Sequence, residues 1–141
     1  MIYKGEELIN SCKELAGDNK QILFIGEVEH EKLGPWLLAS DFFISTSFYE
    51  GNGVAALEAM SCGCIPILTD IFSFRKMTGP GHCGFLFKPG DAESLCTALS
   101  HAIKSDLKTE REKTLLQFNQ EHSFEAITGK INNVINGLIN A

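Results

Sequence analysis

The chain has 141 residues, which suits one domain, and 44% of them are hydrophobic, which is sufficient for a buried core. Its net charge is −6 and no basic cluster appears, which argues against nucleic acid and anionic membranes as main partners. No apolar run reaches the length of a membrane span, and the first residues lack the pattern of a signal peptide. We therefore expect a cytoplasmic protein without a transmembrane segment.

The five cysteines are odd in number and lie within apolar segments or next to glycines. This pattern predicts buried thiols in a reducing compartment rather than disulfides. Cys62 and Cys64 do not have the spacing of a zinc site, and the four histidines are scattered along the chain. We therefore expect no structural metal.

The first part of the chain predicts a helix, a strand and a second, short helix. Apolar residues recur at helical spacing over residues 5–16, and Gly17 is expected to end that helix. Residues 21–25 form a continuous apolar run, which is typical of a strand covered on both faces. Pro35 suits the first turn of the next helix, and Trp36 is expected to lie in the core because leucines surround it at helical spacing.

The central part predicts a strand–loop–helix–strand unit. An apolar strand at Phe42–Ser45 leads into a loop with glycines at positions 51 and 53. A helix is expected over residues 54–62, with Gly63 at its end, and a second strand over residues 64–68, which contains a proline.

This unit has the chemistry of an anion site. Gly51 and Gly53 allow the backbone to approach a ligand closely, and the helix that follows points free N–H groups at the loop, which suits phosphate. Glu50 lies just before the helix and Glu58 about one turn inside it. Each carboxylate can accept a pair of hydroxyl hydrogens, so a sugar near Glu50 and a ribose near Glu58 would both be held.

The remaining chain continues the alternation of strands and helices. A loop over residues 79–84 precedes a short strand at Phe85–Phe87, and Asp91 is expected to cap a helix that ends near residue 104. A helix is expected over residues 110–120, and Ser123 is expected to cap the last helix, whose apolar side chains form a seam. The alternation predicts a doubly wound α/β fold with a parallel sheet and a ligand at the carboxyl ends of its strands.

Residues 47–63, Ser-Phe-Tyr-Glu-Gly-Asn-Gly-Val-Ala-Ala-Leu-Glu-Ala-Met-Ser-Cys-Gly, resemble the signature of the group 1 retaining glycosyltransferases with the GT-B fold. The resemblance extends to Phe-Ile-Gly-Glu-Val at residues 24–28 and to Gly-Phe-Leu-Phe-Lys-Pro-Gly-Asp at residues 84–91. It implies a Rossmann-like sheet with flanking helices, which forms a truncated half of a GT-B enzyme.

The resemblance also implies roles for individual residues. Glu50 would contact the donor sugar and is the candidate catalytic residue, although no residue is expected to act as a nucleophile, and Glu58 would bind the ribose hydroxyls. The backbone around Gly26 and Val28 would lie near the nucleotide base. The amides that would face the diphosphate belong to Gly51, Asn52, Gly53 and Val54.

The implied activity is transfer of a sugar from a nucleotide diphosphate sugar to an acceptor hydroxyl with retention of configuration, in glycan, polysaccharide or glycolipid synthesis. The reaction would need no cofactor and no obligatory metal. Two alternatives stay open from the sequence. One is a GT-B nucleotide-sugar epimerase, and the other is a truncated or non-catalytic module that binds nucleotide sugars.

The resemblance implies that residues 1–141 are a partial donor domain, without the acceptor domain and the first strand–helix–strand unit. A sugar, lipid or protein acceptor would then bind through the missing domain. The family's glycine pair after Thr69 is absent, whereas Arg75 and Lys76 could face the diphosphate or be ordinary solvated cations. Because strands at residues 21–25 and 42–45 would flank the missing strands, we expect exposed edges and self-association.

Overall fold

The computed structural model describes residues 4–139, and the chain divides into two compact units after Lys32. In the first unit, helix α1 spans Lys4–Ala16 and ends where Gly17 adopts a left-handed conformation with a φ of 53°. The N–H of Gly17 donates a hydrogen bond to the carbonyl of Lys13 at 3.0 Å. The predicted first helix and its glycine end are therefore confirmed.

The strand predicted at residues 21–25 is wrong, because this segment is irregular and its apolar side chains are exposed. An apolar run forms a strand only where a second strand completes its backbone hydrogen bonds, and no described strand pairs with this one. The Phe24 ring instead has the Lys13 ammonium 5.9 Å from its centroid. One of the two sheet edges on which the expectation of self-association depended is therefore not a strand.

The second unit is a parallel three-stranded sheet with flanking helices, a Rossmann-like arrangement that confirms the predicted fold class. The strand order is β1-β2-β3, so β2 is central and β1 has an unpaired edge among the described strands. In chain order the elements are α2 (Leu33–Leu38), β1 (Phe42–Ser45), α3 (Val54–Ser61), β2 (Ile65–Thr69), α4 (Phe72–Met77), β3 (Phe85–Phe87), α5 (Ala92–Lys104), α6 (Leu107–Glu121) and α7 (Phe124–Ile139).

The central strand β2 is buried at all five positions, and its alternating side chains serve two apolar clusters. Leu68 packs in a cluster with Met60 of α3 and Phe74 of α4. Its neighbour Ile67 packs in the other cluster, with Ala102 of α5. Since successive side chains of a strand point to opposite faces, the two clusters cover both faces of the sheet. This explains why residues 65–68 of β2 are an uninterrupted apolar run.

Pro66 lies inside this central strand although it has no N–H to donate. The Asp70 N–H donates to the Phe87 carbonyl at 2.7 Å, and alternate residues of a strand bond to the same neighbour, so the Pro66 nitrogen also faces the β3 side. β3 begins at Phe85, which pairs with the residue after Pro66. The proline is tolerated because the ladder has not yet begun at its position.

The residues predicted to cap helices α5 and α7 and to end α3 are found in these positions. Asp91 accepts a hydrogen bond from the Ser94 N–H at 3.0 Å, and this bond lowers the pKa of the Asp91 carboxyl. The Ser123 hydroxyl oxygen accepts from the Ala126 N–H at 3.1 Å at the start of α7. Gly63, with a φ of 80°, follows the end of α3. These helix ends could therefore be predicted from the type and position of single residues.

Side-chain burial corrects several expectations. Trp36 is 47% exposed rather than buried, and α2 begins two residues before Pro35. Of the five cysteines, only Cys64 and Cys83 are buried, and burial raises the pKa of the Cys83 thiol to about 11. The apolar seam predicted for α7 is exposed along its length.

Among the described residues, no helix is both long and apolar enough to cross a bilayer.

Candidate functional site

A cleft of about 810 Å³ opens in the second unit, beyond the carboxyl ends of β1 and β2. Residues 48–52 and the first turns of α3 form one wall, and Ile71 and α4 form another. His122, between α6 and α7, and Ile127 of α7 complete the lining. This is the edge of a parallel sheet at which a ligand is expected.

Helix α4 forms its wall because the segment buries two side chains three residues apart. Phe74 and Met77 are almost fully buried in the cluster beneath α3, which fixes the helix although no side chain caps its start. Ser73 and Lys76 then line the cleft. We did not predict this helix, since its six residues carry neither a capping residue nor a long apolar period.

Glu50 is held by hydrogen bonds to its side chain and to its backbone. The Ser47 hydroxyl donates to Glu50 Oε1 at 2.9 Å, and the Ser45 hydroxyl donates to Ser47 Oγ at 3.2 Å. The Ser73 hydroxyl, from α4, donates to the Glu50 backbone carbonyl at 2.7 Å. The carboxylate is half-buried and lines the cleft.

Helix α3 begins beside the cleft without a side-chain cap, because Gly53 occupies the capping position. Gly53 has left-handed angles, with a φ of 58° and a ψ of 46°. Its carbonyl accepts from the N–H groups of Ala56 and Leu57 at 2.9 and 3.1 Å. The N–H groups of Val54 and Ala55 precede these and have no carbonyl four residues back within the helix. The partial positive charge of a helix start therefore lies at the cleft.

The two neighbouring cations of α4 have different surroundings. Arg75 forms a bidentate pair with Asp70, with Nη2 2.8 Å from Oδ2, and this pair lowers the pKa of the Asp70 carboxyl. Lys76 lines the cleft. The imidazole Nε2 of His122 lies 3.0 Å from the carbonyl oxygen of Met77. Of the two cations that the sequence left open, only Lys76 is available to a ligand in the cleft.

The structure brings together most of the residues predicted from the central motif. Glu50, Gly51, Asn52 and Val54 line the cleft, and Gly53 is buried and lines a smaller adjoining pocket of about 70 Å³ that also contains Glu50. His82, in the loop over residues 79–84, lines neither cavity.

Glu58 is half-buried in α3 and lines neither cavity. It follows Val54 by four residues, which places it about 6 Å further along the helix and about 40° around it. Gly26 and Val28 belong to the first unit, where Gly26 adopts a left-handed φ of 77°. The roles of these three residues remain predictions.

Sequence reasoning missed an aromatic rim and a histidine. Phe48, Tyr49 and Phe72 line the cleft and are 73%, 86% and 83% exposed. Sequence alone does not distinguish exposed aromatic side chains such as these from core residues. His122 enters the cleft from more than forty positions after α4, so no local signal could have placed it there.

Among residues 7–139, whose side chains the structure describes, no group of three or more His, Cys, Asp or Glu is arranged to hold a metal ion. The expectation that the reaction needs neither a metal nor a cofactor stays a prediction. The polar groups that the cleft offers are a carboxylate, an ammonium, an imidazole, hydroxyls and helix-start amides. Such a set suits a ligand that carries both hydroxyl groups and negative charge.

A family model described as "Glycosyl transferases group 1" matches residues 4–120. The chain belongs to the group 1 glycosyltransferases. The match includes the loop with Glu50, the start of α3 and the whole of the sheet. The resemblance noted from residues 47–63 is therefore confirmed at the level of the family.

Two curated relatives and one solved structure illustrate the similarity. O-antigen chain mannosyltransferase B of Escherichia coli is 31% identical over 85 residues, which are 60% of this chain and 22% of that protein. GDP-mannose:cellobiosyl-diphosphopolyprenol alpha-mannosyltransferase of Xanthomonas oryzae is 33% identical over 88 residues, 60% of this chain and 23% of that protein. The chain thus spans less than a quarter of the length of either relative.

Sucrose-phosphate synthase from Thermosynechococcus elongatus has the same fold, with a TM-score of 0.77 at 23% identity. The superposition covers 96% of this chain and 35% of the synthase. At this identity the likeness shows the fold alone. The architecture of a GT-B glycosyltransferase, of which the chain matches only a part, is therefore confirmed.

Proposed function

We propose that this chain binds the nucleotide-sugar donor of a retaining glycosyltransferase, which transfers the sugar to an acceptor hydroxyl in glycan, polysaccharide or glycolipid synthesis. The observation that carries the proposal is the position of Glu50. Its carboxylate lines a cleft of about 810 Å³ beside the uncapped start of α3. A carboxylate for hydroxyls next to amides for phosphate is what a nucleotide sugar requires.

In this proposal the residues orient the donor and stabilise negative charge on the departing diphosphate. Glu50 accepts hydrogen bonds from sugar hydroxyls. The backbone from Gly51 to Val54 faces the phosphates, where the helix start favours an anion. No side chain is assigned as a nucleophile. The proposed reaction depends on the orientation of the donor and on charge stabilisation, without a covalent intermediate with this chain.

Glu58 binds the ribose hydroxyls in this proposal. Its position about one turn beyond Val54 in α3 allows a nucleotide to extend along the helix from the phosphates to the ribose. Gly26 and Val28 would contact the base through their backbone. The acceptor, a sugar, lipid or protein, would bind to a part of the enzyme outside this chain, and we propose that the site faces the cytoplasm, where nucleotide sugars are available.

Thermal unfolding in the presence of UDP, GDP and ADP tests whether the chain binds a nucleotide at all. A ligand at a hundred times its Kd stabilises a protein by about 2.7 kcal/mol, which is a shift of several degrees in Tm. We expect one of the three to raise the Tm more than the other two. The name of the Xanthomonas relative makes GDP and GDP-mannose the first pair to measure. No shift with any nucleotide would contradict the proposal.

The two glutamates should have different effects in calorimetry with the selected nucleoside diphosphate. We expect Glu58→Ala to weaken binding by about 1.5–3 kcal/mol, because a charged acceptor for ribose hydroxyls is lost. Glu50→Ala should have less effect on this ligand and more on the corresponding nucleotide sugar. The exposed Glu112 of α6 provides the matched control, as Glu112→Ala removes the same charge elsewhere. Equal effects of the Glu50 and Glu58 variants would remove the ribose assignment.

Lys76 should contribute to phosphate binding, whereas Arg75 should not. We expect Lys76→Met to weaken binding of the nucleoside diphosphate by about 1–2 kcal/mol, which is about 5- to 30-fold in Kd. Binding of the nucleoside monophosphate should be weakened by less. Arg75→Met lowers the net charge equally but removes a side chain that is paired with Asp70. Calorimetry at low and high salt compares the two variants. If both weaken binding equally, the effect is that of net charge and Lys76 is not a contact.

A further inference from the structure

A short chain of hydroxyl groups with a defined direction runs from the end of β1 into the loop before α3. An ionised carboxylate accepts hydrogen bonds and donates none, so the single hydrogen of the Ser47 hydroxyl is directed at Glu50 Oε1, 2.9 Å away. The Ser47 oxygen in turn accepts from the Ser45 hydroxyl at 3.2 Å. Both hydrogens are therefore committed, and the chain ends at the carboxylate.

The backbone of the same loop is fixed by two further hydroxyls from neighbouring elements. The fully buried Thr69, at the end of β2, donates through Oγ1 to the carbonyl of Ser47. Ser73 of α4 donates to the carbonyl of Glu50. The loop backbone is thus held at Ser47 by the sheet and at Glu50 by α4, and the Ser47 hydroxyl also holds the Glu50 side chain.

We propose that Ser47 is the positioning residue for Glu50. This inference rests on the proposed function and extends it. The hydrogen bond from Ser47 to Oε1 fixes the orientation of the carboxylate, so Glu50 presents a preoriented acceptor to the sugar of the donor. Holding an acceptor in its bound orientation before binding lowers the entropic cost of that contact. Ser47 itself touches no part of the donor in this arrangement.

The consequence is selective for the sugar. Ser47→Ala should weaken binding of the nucleotide sugar about three- to tenfold, the range expected for one hydrogen bond, and leave the Kd of the matching nucleoside diphosphate unchanged. Ser47→Thr keeps the hydroxyl, so its affinities for the nucleotide sugar and for the nucleoside diphosphate should both equal those of the wild type. Ser45→Ala should have a smaller effect than Ser47→Ala, since it leaves the hydrogen bond to Glu50 in place.

Calorimetry with GDP and GDP-mannose, or with the pair of the base selected in the thermal panel, measures this difference. Ser100→Ala is the matched control, since the hydroxyl of Ser100 donates to the Cys96 carbonyl on α5, away from the cleft. Equal weakening of both ligands by Ser47→Ala would assign Ser47 a general structural role and overturn the proposal. An unchanged affinity for the nucleotide sugar would overturn it as well.

A ligand-free measurement separates this inference from the proposed function. Three-bond NMR couplings report the side-chain rotamers of Glu50. We expect one rotamer in the wild-type chain and averaged couplings in Ser47→Ala, with Ser47→Thr like the wild type. If no nucleotide binds but the couplings change in this way, the proposed function fails and the positioning role of Ser47 stands. A single Glu50 rotamer in Ser47→Ala would overturn the positioning role.

Discussion

Gly84→Ala is expected to destabilise the second unit by about 3–5 kcal/mol, a large part of the stability of a small domain. A Cβ at this position would overlap the Pro66 carbonyl oxygen and lie 2.6 Å from the Pro66 Cγ. Neither can move easily, because Pro66 lies in the fully buried central strand. The φ of Gly84 is 69°, which adds the strain of a left-handed conformation.

Urea unfolding compares this variant with Gly81→Ala. Gly81 also has a left-handed φ, of 84°, but a Cβ there would meet no atom within 4 Å. Gly81→Ala should therefore cost only about 1 kcal/mol, the backbone part of the effect. Equal losses in the two variants would mean that the contact with Pro66 does not limit the packing of β3 against β2.

Gly53→Ala is expected to lower the free energy of unfolding by about 2–4 kcal/mol and to disturb the cleft as well. An added Cβ would lie 2.8 Å from Met77 Cε and 2.9 Å from Phe74 Cε1. The methionine end can shift, but the Phe74 ring is 1% exposed and packed in the core. The φ of 58° adds the strain of the left-handed helix start. Thermal or urea unfolding measures the loss.

Gly51→Ala is the matched control, because Gly51 is exposed and an added Cβ there would meet no atom within 4 Å. We expect its stability to equal that of the wild type. If the backbone at Gly51 approaches the donor, Gly51→Ala should nevertheless weaken nucleotide binding. Destabilisation by Gly51→Ala, or wild-type stability of Gly53→Ala, would contradict this division of roles between the two glycines.

The elements that sequence predicted well are those whose signals are local. Phe42–Ser45 was predictable as a strand from its short apolar run before the glycine-containing loop, and it forms β1. Asp91 and Ser123 cap helices because a short oxygen-bearing side chain reaches an N–H three residues on. The motif around Glu50 was informative for the same reason, as the loop and the start of α3 are adjacent in the chain.

The expectations that failed depend on distant partners. Residues 21–25 carry strand-like composition but no described strand completes their hydrogen bonds. Helix α4 exists because Phe74 and Met77 fit beneath α3, which no pattern within six residues reveals. His122 lines the cleft only because α6 returns to it. Tertiary packing decided each of these cases.

Pro66 has a consequence for how the chain can mispair while folding. β3 could pair with β2 two residues closer to the start of β2 than it does in the structure. Because side chains alternate with a period of two, each β3 side chain would still point to the same face of the sheet, so hydrophobic burial alone opposes this register only weakly. Such a slip would bring β3 opposite Pro66, where the missing N–H leaves an acceptor of the incoming strand unsatisfied in a buried sheet. Pro66 thus disfavours a shifted register of β3 against β2 that hydrophobic burial alone would not prevent.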